Sequence, residues 1–218
     1  MKVHIAEFRQ RQDRYRYLVQ EFQRFLAGTV LDVGCDQAVL RAMLPAGRYI
    51  GIDIGGDADL RLDLEKMEKL PFGDCTYDCV VCLDVLEHLD NLHAVFGELV
   101  RVSKAYVIVS LPNNWANARR PIRRGRGSIG HYGLPVSPIA DRHKWFFNLS
   151  EALDFIRGQE KRYPLRIIDV RVNEKPRPYW VRTFRRLAYR SIMRYLDRYA
   201  HTLWIVMEKQ PSPIEAWS

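Results

Sequence analysis

The strongest chemical signal in the chain is a group of polar and small residues at the end of an apolar run. Asp32 lies inside that run, and Gly34, Cys35 and Asp36 follow it. The run predicts a buried strand, and the glycine before the amphipathic stretch at 38–44 predicts a tight turn and the start of a helix. Because Gly34 has no Cβ, backbone N–H groups of such a turn can approach a ligand closely. The pattern predicts a loop that cradles a nucleotide.

A second carboxylate supports this prediction. The next apolar strand ends in Asp53, about 20 residues beyond Gly34, where nucleotide-binding α/β folds contact ribose hydroxyls. Ile54 follows directly and is included among the cofactor-binding candidates. The alternative is a strand–turn–helix connection that serves packing alone.

Asp36 selects the kind of nucleotide. Its carboxylate lies at the helix N-terminus, where a dinucleotide would place two phosphates, and like charges repel in a partly desolvated site. S-adenosylmethionine (SAM) carries ribose, adenine, an ammonium and a sulfonium but no phosphate, so it tolerates this carboxylate. The loop therefore favours SAM over NAD.

Length and composition fit one cytoplasmic α/β domain. The 218 residues, 47% of them hydrophobic, suffice for a single domain over 1–218 with a modest insertion. The charged segment 1–14 does not have the features of a secretory signal, and no apolar run approaches the roughly 18 to 20 residues needed to cross a bilayer.

Four cysteines raise the question of metal or redox chemistry: Cys35, Cys75, Cys79 and Cys82. Cys79 and Cys82 fall inside a predicted strand, whose alternation points them to opposite faces. We therefore expect reduced core cysteines and assign no metal ligands.

The excess positive charge, +8 in total, falls in two blocks. Arginines crowd residues 119–126, and others recur along 179–199 opposite apolar residues, which predicts a basic amphipathic helix within an insertion at 173–200. Such blocks suggest nucleic acid, an anionic substrate or a membrane surface as partner, or else a solvated face. For the helix we expect packing on the core, and peripheral membrane contact is the alternative.

The remaining chain alternates between predicted strands and helices. An N-terminal helix is expected within 1–28, and the strands that follow predict a doubly wound parallel sheet. Prolines and glycines interrupt the pattern over 112–142, which predicts a long loop acting as a lid or substrate-recognition insertion. Two last strands, at 166–172 and 202–208, are expected to pair antiparallel at the sheet edge.

Taken in order, several segments resemble class I SAM-dependent methyltransferases, of the subgroup that modifies small molecules or glycans. The matching segments are Leu31-Asp32-Val33-Gly34-Cys35, the strand end at Asp53, Asp63-Leu64 before Leu70-Pro71-Phe72, Tyr77-Asp78, Val85-Leu86-Glu87-His88-Leu89, Ser110-Leu111-Pro112-Asn113, and His143 to Phe146. The resemblance covers about residues 28–160 and implies a Rossmann-like methyltransferase fold, with a mostly parallel seven-stranded sheet and an antiparallel edge strand. The chain departs from the family at Asp36 and Ala38, where the family has further glycines, and we expect Ala38 to cost little.

The resemblance also implies roles for individual residues in binding the cofactor. Asp32 would orient the loop and the ammonium of SAM, and Gly34, with its neighbours Cys35 and Asp36, would pass under the methionine part. Asp53 would accept hydrogen bonds from the ribose, while Asp63 and Leu64 would contact the adenine. The backbone of Leu83 would contact the ammonium, and His88 would lie near the transferred methyl.

Methyl transfer from a sulfonium is an in-line displacement whose thioether leaving group needs no acid. The enzyme must align the acceptor, exclude water and remove a proton from a hydroxyl or ammonium acceptor. Histidine suits that last step at neutral pH, so His88 and His143 are the catalytic candidates. The substrate-binding candidates are His131, Tyr132, Arg123 and Arg124, since arginines can pair with phosphate or carboxylate on a small-molecule or glycan acceptor.

Two other functions stay open at this point. The positive charge supports an RNA methyltransferase, although the sequence shows no recognisable RNA-binding module. A SAM-binding regulatory protein without turnover is the other alternative. A glycan attached to a lipid would suit the basic helix.

Overall fold

The computed structural model describes residues 1–137 and 142–211. Within them lie eight strands: β1 (Lys2–Ile5), β2 (Val30–Val33), β3 (Tyr49–Asp53), β4 (Leu60–Arg61), β5 (Tyr77–Leu83), β6 (Ser103–Pro112), β7 (Leu165–Glu174) and β8 (Ala200–Lys209). The α-helices of the same residues are α1 (Arg11–Phe22), α2 (Leu92–Val102), α3 (Asn114–Arg124), α4 (Leu149–Arg162), α5 (Tyr179–Leu187) and α6 (Ile192–Tyr199). Short 3-10 helices cover Gln23–Leu26, Val39–Met43, Leu86–His88 and Gly130–Tyr132.

These strands form one sheet in the order β1-β7-β8-β6-β5-β2-β3-β4. β8 runs antiparallel to both β6 and β7, and the other neighbouring pairs are parallel. The mostly parallel α/β fold and the antiparallel pairing of the last two strands are therefore confirmed. The sheet has eight strands rather than the predicted seven, because β1 joins it beside β7, and the antiparallel strand β8 lies between β6 and β7 rather than at the edge.

The core lies on both faces of the sheet. Along β5, Val80 and Cys82 belong to the cluster under α2, α4 and α6, while Cys79 and Val81 belong to the cluster under α1. The prediction that Cys79 and Cys82 point to opposite faces is confirmed, and both are buried. Cys75 is exposed and is not the core residue we expected.

The N-terminal segment is not one helix. Residues Lys2–Ile5 pair with the end of β7, and α1 begins only at Arg11. The Asp13 carboxylate fixes this start, since it accepts hydrogen bonds from the backbone N–H groups of Arg9 and Gln10, each at 3.0 Å. These two bonds lower the pKa of Asp13. The edge strand escaped prediction because its side chains are mostly exposed and carry no burial pattern.

The predicted loop over 112–142 contains a helix. The Asn113 side chain accepts from the Ala116 N–H and caps α3, and Gly125, with φ +61°, ends it. Pro121 lies inside the helix, where it removes one backbone donor, and it is one of the prolines and glycines from which the loop was predicted. Residues 138–141 of the predicted insertion lie outside the described part of the chain.

The predicted basic helix is two helices, with a break between Leu187 and Ile192. α6 buries Tyr195 and Leu196, but no residue of α5 is buried. The expectation that this segment packs on the core is therefore wrong for α5. None of the helices in residues 1–137 and 142–211 has the length and apolarity to cross a bilayer.

Candidate active site

The loop after β2 is compact and left-handed. Gly34, Asp36 and Ala38 have φ of +80°, +48° and +47°. A Cβ on Gly34 would lie 2.2 Å from Val85 Cγ2, so the loop passes close against the turn after β5 and requires glycine there. The left-handed angles at Asp36 and Ala38 explain why related loops use glycine. They also correct the expectation that Ala38 costs little, since a left-handed alanine costs roughly 1–2 kcal/mol.

Asp53 holds this loop from the neighbouring strand. One carboxylate oxygen accepts from the Asp36 N–H at 2.9 Å and the other accepts from the Gly55 N–H at 3.2 Å. The Asp36 carboxylate forms an ion pair with Arg11 at 3.3 Å, and its carbonyl accepts from the Asp57 N–H at 2.7 Å. The Asp36 carboxylate is thus engaged by α1, and the loop is braced on both sides.

Asp32 lies beneath the loop and is fully buried. The Tyr49 hydroxyl donates to its carboxylate at 3.1 Å, and burial raises the pKa of Asp32 to about 7. This position agrees with the predicted role in orienting the loop, but contact with the ammonium of a ligand would require the loop to move. Cys35 is also buried, and burial raises the pKa of its thiol to about 12, so this residue can offer a ligand only its backbone.

The other predicted cofactor residues lie at or after the carboxyl ends of β3, β4 and β5, and these strand ends form the edge of the cleft. Ile54 follows Asp53 and is 70% exposed. The Asp63 carboxylate pairs with Lys66 at 2.8 Å, which lowers the pKa of Asp63, and Leu64 is buried with its carbonyl accepting from the Asn91 side chain. Leu83 ends β5 and is nearly buried.

Asp84 is not among the predicted site residues, and it begins the turn after β5 with φ +52°. Its carboxylate accepts from the Ser110 hydroxyl at 2.6 Å and pairs with Arg14 of α1 at 2.7 Å. Arg11 and Arg14 are three residues apart on α1 and therefore share a face. That spacing was the available signal that α1 covers this cleft.

A cavity of about 220 Å³ lies at the end of β5, against α1. It is lined by Arg11, Arg14, Tyr15, Leu83, Asp84, Glu87, His88, Pro112, Asn117, His131 and His143. The structure therefore brings four predicted site residues, Leu83 and the three histidines, together in one cavity. The ring centroids of His88 and His143 are 4.5 Å apart, and His131 stacks on His143 at 4.3 Å.

The remaining substrate-binding candidates lie in different places: Tyr132 is next to the histidine cavity, and the two arginines are not. The Tyr132 hydroxyl lies 3.1 Å from His143 Nδ1 and donates to the Trp145 carbonyl, so Tyr132 supports a cavity residue. Arg123 lines a separate, largely apolar groove of about 570 Å³ with Trp115 and Phe146, and Arg124 is exposed at the end of α3. Neither arginine lines the histidine cavity, because the helical phase of α3 turns them away from it.

A family model described as "Methyltransferase domain" matches residues 8–153. The chain belongs to this methyltransferase family. No curated protein matches the methyltransferase at a significant level.

Solved structures share the fold of the methyltransferase. A SAM-dependent methyltransferase from Archaeoglobus fulgidus has a TM-score of 0.57 and 18% identity, covering 93% of this chain and 96% of its own. The small RNA methyltransferase HEN1 has a TM-score of 0.60 and 17% identity, covering 97% of this chain and 27% of its own. Magnesium protoporphyrin IX methyltransferase from Synechocystis, with bound SAH, has a TM-score of 0.53 and 16% identity, covering 91% of this chain and 83% of its own. At these identities the structures show the fold alone.

SAM is the cofactor of the methyltransferase, and the cleft suits it. Four carboxylates, those of Asp32, Asp36, Asp53 and Asp84, lie at or beneath the carboxyl ends of β2, β3 and β5, and two arginines of α1 accompany them. A cationic ligand without phosphate fits this excess of carboxylates over arginines, whereas a pyrophosphate would be repelled by the carboxylates. The close approach at Gly34 and the acceptor oxygens of Asp53 supply the backbone cradle and the hydroxyl acceptors that such a ligand needs.

Proposed function

We propose that the enzyme methylates a sugar or other small acceptor that carries an anionic group and a lipid anchor. The observation that carries this proposal is an arginine-rich pocket next to the histidine cavity. Asn117 of α3 lines both, so an acceptor can place its anionic group in one and its reacting atom in the other.

The arginine-rich pocket has a volume of about 140 Å³. Its lining includes Arg119 and Arg120 of α3, Lys175, Arg177, Arg182 and Arg185 on or before α5, and Arg198 of α6. Glu174 is the carboxylate of this lining, and it already accepts from the Tyr195 hydroxyl at 2.8 Å and lies 3.5 Å from Arg182. The pocket therefore keeps a strong excess of positive charge.

The positive charges of the arginine-rich pocket are crowded around Arg119. Burial lowers the pKa of its guanidinium, and the charges of Arg198 and Arg185 act in the same direction. The guanidinium groups of Arg119 and Arg185 both lie against the Tyr199 ring, at 4.8 and 5.0 Å from its centroid. A phosphate or carboxylate would relieve this repulsion and accept paired hydrogen bonds from planar guanidinium groups.

The apolar face of α5 supports the lipid anchor. Tyr179, Trp180, Phe184 and Leu187 are 72–79% exposed, while Arg182, Arg185 and Arg186 lie on the same helix. An amphipathic helix with arginines and an exposed aromatic face is typical of binding at the interface of an anionic membrane. Ile122 of α3, 64% exposed, lines the groove that contains Trp115.

In the reaction, SAM supplies an electrophilic methyl group on its sulfonium. The residues of the chain hold the acceptor through the arginine-rich pocket, cover the cleft with α1 and accept the proton of the acceptor at an imidazole of the histidine cavity. His88 and His143 are suited to this, because both line that cavity and imidazole takes up a proton near neutral pH. His131 and Tyr132 position this pair.

The test is methyl incorporation from labelled SAM into cell extract separated into lipid, glycan, RNA and small-molecule fractions. We expect the label in a lipid-extractable, anionic glycan fraction. Arg119→Gln should lower kcat/KM toward that acceptor about 10- to 100-fold, the value of one hydrogen bond to a charged group. Arg157→Gln, an exposed arginine of α4 paired with Asp154, is the matched control and should act as wild type.

Label that RNase releases would instead support the RNA alternative, and the absence of label in every fraction would support a binding protein without turnover. Membrane contact is tested separately. Trp180→Ser with Phe184→Ser should abolish sedimentation with anionic phospholipid vesicles without changing the free energy of unfolding, since both side chains are exposed. Equal sedimentation of this variant and wild type would contradict the membrane contact.

A further inference from the structure

We propose that Glu87, His88 and His143 bind a first-row divalent transition metal ion, which holds an oxygen of the methyl acceptor. This inference rests on the proposed function for its acceptor, and it revises the sequence analysis, which assigned no metal ligands. One ligand atom from each residue lies within 4.8 Å of the others. Such an ion holds its ligands at about 2.0–2.2 Å, so neighbouring ligands lie about 3.0–3.4 Å apart and opposite ligands about 4.2 Å apart. Side-chain rotations that bring the ligand atoms closer by up to about 1.5 Å therefore close the site.

The tautomers of both histidines suit metal binding. His88 Nδ1 lies 3.2 Å from the carbonyl of Arg142, which can only accept, so this nitrogen carries the proton. The Tyr132 hydroxyl donates its single proton to the Trp145 carbonyl, and its oxygen therefore accepts from His143 Nδ1 at 3.1 Å. In both rings Nε2 is then the ligating nitrogen, and the Nδ1–H bonds are the outer contacts that orient ligating imidazoles.

The backbone around these ligands is fixed before any ion binds. The Lys144 N–H donates to the Glu87 carbonyl at 2.8 Å, and the Trp145 indole donates to the Leu89 carbonyl at 2.7 Å. The Lys144 ammonium also pairs with Glu65 and Asp90, at 2.7 and 2.6 Å. The segment that carries His143 is thus clamped to the 3-10 helix that carries Glu87 and His88, and this preorganisation favours binding.

The donor set indicates the class of ion. Two imidazoles and one carboxylate suit Mn²⁺, Fe²⁺, Co²⁺ or Zn²⁺, whereas Mg²⁺ and Ca²⁺ prefer oxygen ligands. Three protein ligands leave positions open, as in catalytic sites. Since all three residues line the cavity beside Leu83 and Asp84, those positions face the space assigned to the acceptor.

The ion would act as a Lewis acid in this reaction. An acceptor hydroxyl bound to it loses its proton to water more readily, and the resulting oxygen attacks the methyl carbon of SAM. The new C–O bond forms as the C–S bond breaks, and S-adenosylhomocysteine leaves as a neutral thioether. With the ion bound, His88 and His143 are ligands, and the proton leaves through water.

Titration of the metal-free protein with Co²⁺ tests the proposal without any acceptor. We expect one Co²⁺ per chain, with visible d–d absorption bands, and Mg²⁺ at the same concentration should not displace it. Glu87→Gln, which keeps the size of the side chain, and His143→Ala should each weaken Co²⁺ binding at least tenfold. His93→Ala is the matched control, because this histidine of α2 lies outside the cluster and contacts Gln159.

Calorimetry with SAM and a thermal unfolding curve verify that each variant is folded. If His143→Ala does not fold, Glu87→Gln and His88→Gln decide the question. Co²⁺ binding that is absent in wild type, or equal in wild type, Glu87→Gln and His88→Gln, would overturn the metal site. That result leaves the proposed function standing, since its own failure would appear as the absence of label in the lipid-linked fraction.

Discussion

Replacing Gly34 by alanine gives the sharpest test of how the loop is built. Gly34 and Gly47 have nearly the same left-handed backbone, with φ of +80° and +79°. A Cβ on Gly47 meets no atom within 4 Å, whereas a Cβ on Gly34 would lie 2.2 Å from Val85 Cγ2. Gly47→Ala therefore measures the backbone strain alone, and Gly34→Ala measures strain plus steric overlap.

The magnitudes follow from these two terms. Left-handed alanine costs roughly 1–2 kcal/mol, partly offset by about 0.4–1 kcal/mol from the stiffer unfolded chain, so Gly47→Ala should lower the free energy of unfolding by about 1 kcal/mol. Overpacking adds about 1–3 kcal/mol, so Gly34→Ala should lose about 2–4 kcal/mol. To restore ordinary van der Waals contact, Val85 or the loop would have to move by about 1.5 Å. Because the loop contributes to the cofactor cleft, we expect the affinity for SAM to fall at least tenfold.

Urea unfolding and SAM calorimetry measure both effects. Val85→Ala in the Gly34→Ala background removes the two Cγ atoms and should show a coupling of about 1 kcal/mol or more in a double-mutant cycle. Equal loss of stability in Gly34→Ala and Gly47→Ala, with unchanged SAM binding, would refute the close approach of the loop to Val85.

Two further predictions concern the carboxylates of the cleft. The pKa of Asp32 is raised to about 7, against about 3.9 in the unfolded chain, so folding retains a proton and stability falls as pH rises from about 4 to 7. Relative to Asp32→Asn, wild type should lose up to about 4 kcal/mol between pH 4 and pH 8 in urea unfolding, and parallel curves would contradict the buried carboxyl. Asp53→Ala should weaken SAM binding at least tenfold in calorimetry, with exposed Asp57→Ala as control, and unchanged affinity would remove the ribose assignment.

The loop after β2 and the strand ends beside it could be predicted from the sequence, because their signals are local. An apolar strand, a glycine and the next strand end at Asp53 follow one another within about two dozen residues, and each constrains its own backbone. The opposite facing of Cys79 and Cys82 followed from strand alternation in the same way. The sequence also selected His88 and His143 as site candidates, and the structure places both in one cavity.

The tertiary structure decided the features that depend on distant pairs. β1 becomes a strand because the end of β7 offers it a partner, and its own side chains give no signal. α3 forms despite Pro121, and its phase places Arg119 at the arginine-rich pocket and Arg123 in the neighbouring groove.

The same holds for the centre of the acceptor site. His143 reaches Glu87 and His88 because backbone hydrogen bonds clamp two segments more than 50 residues apart along the chain. The sequence by itself determined which residue types were available for chemistry. Only the packing of segments remote in sequence decided which of them meet, because those contacts depend on long-range geometry that no local pattern encodes.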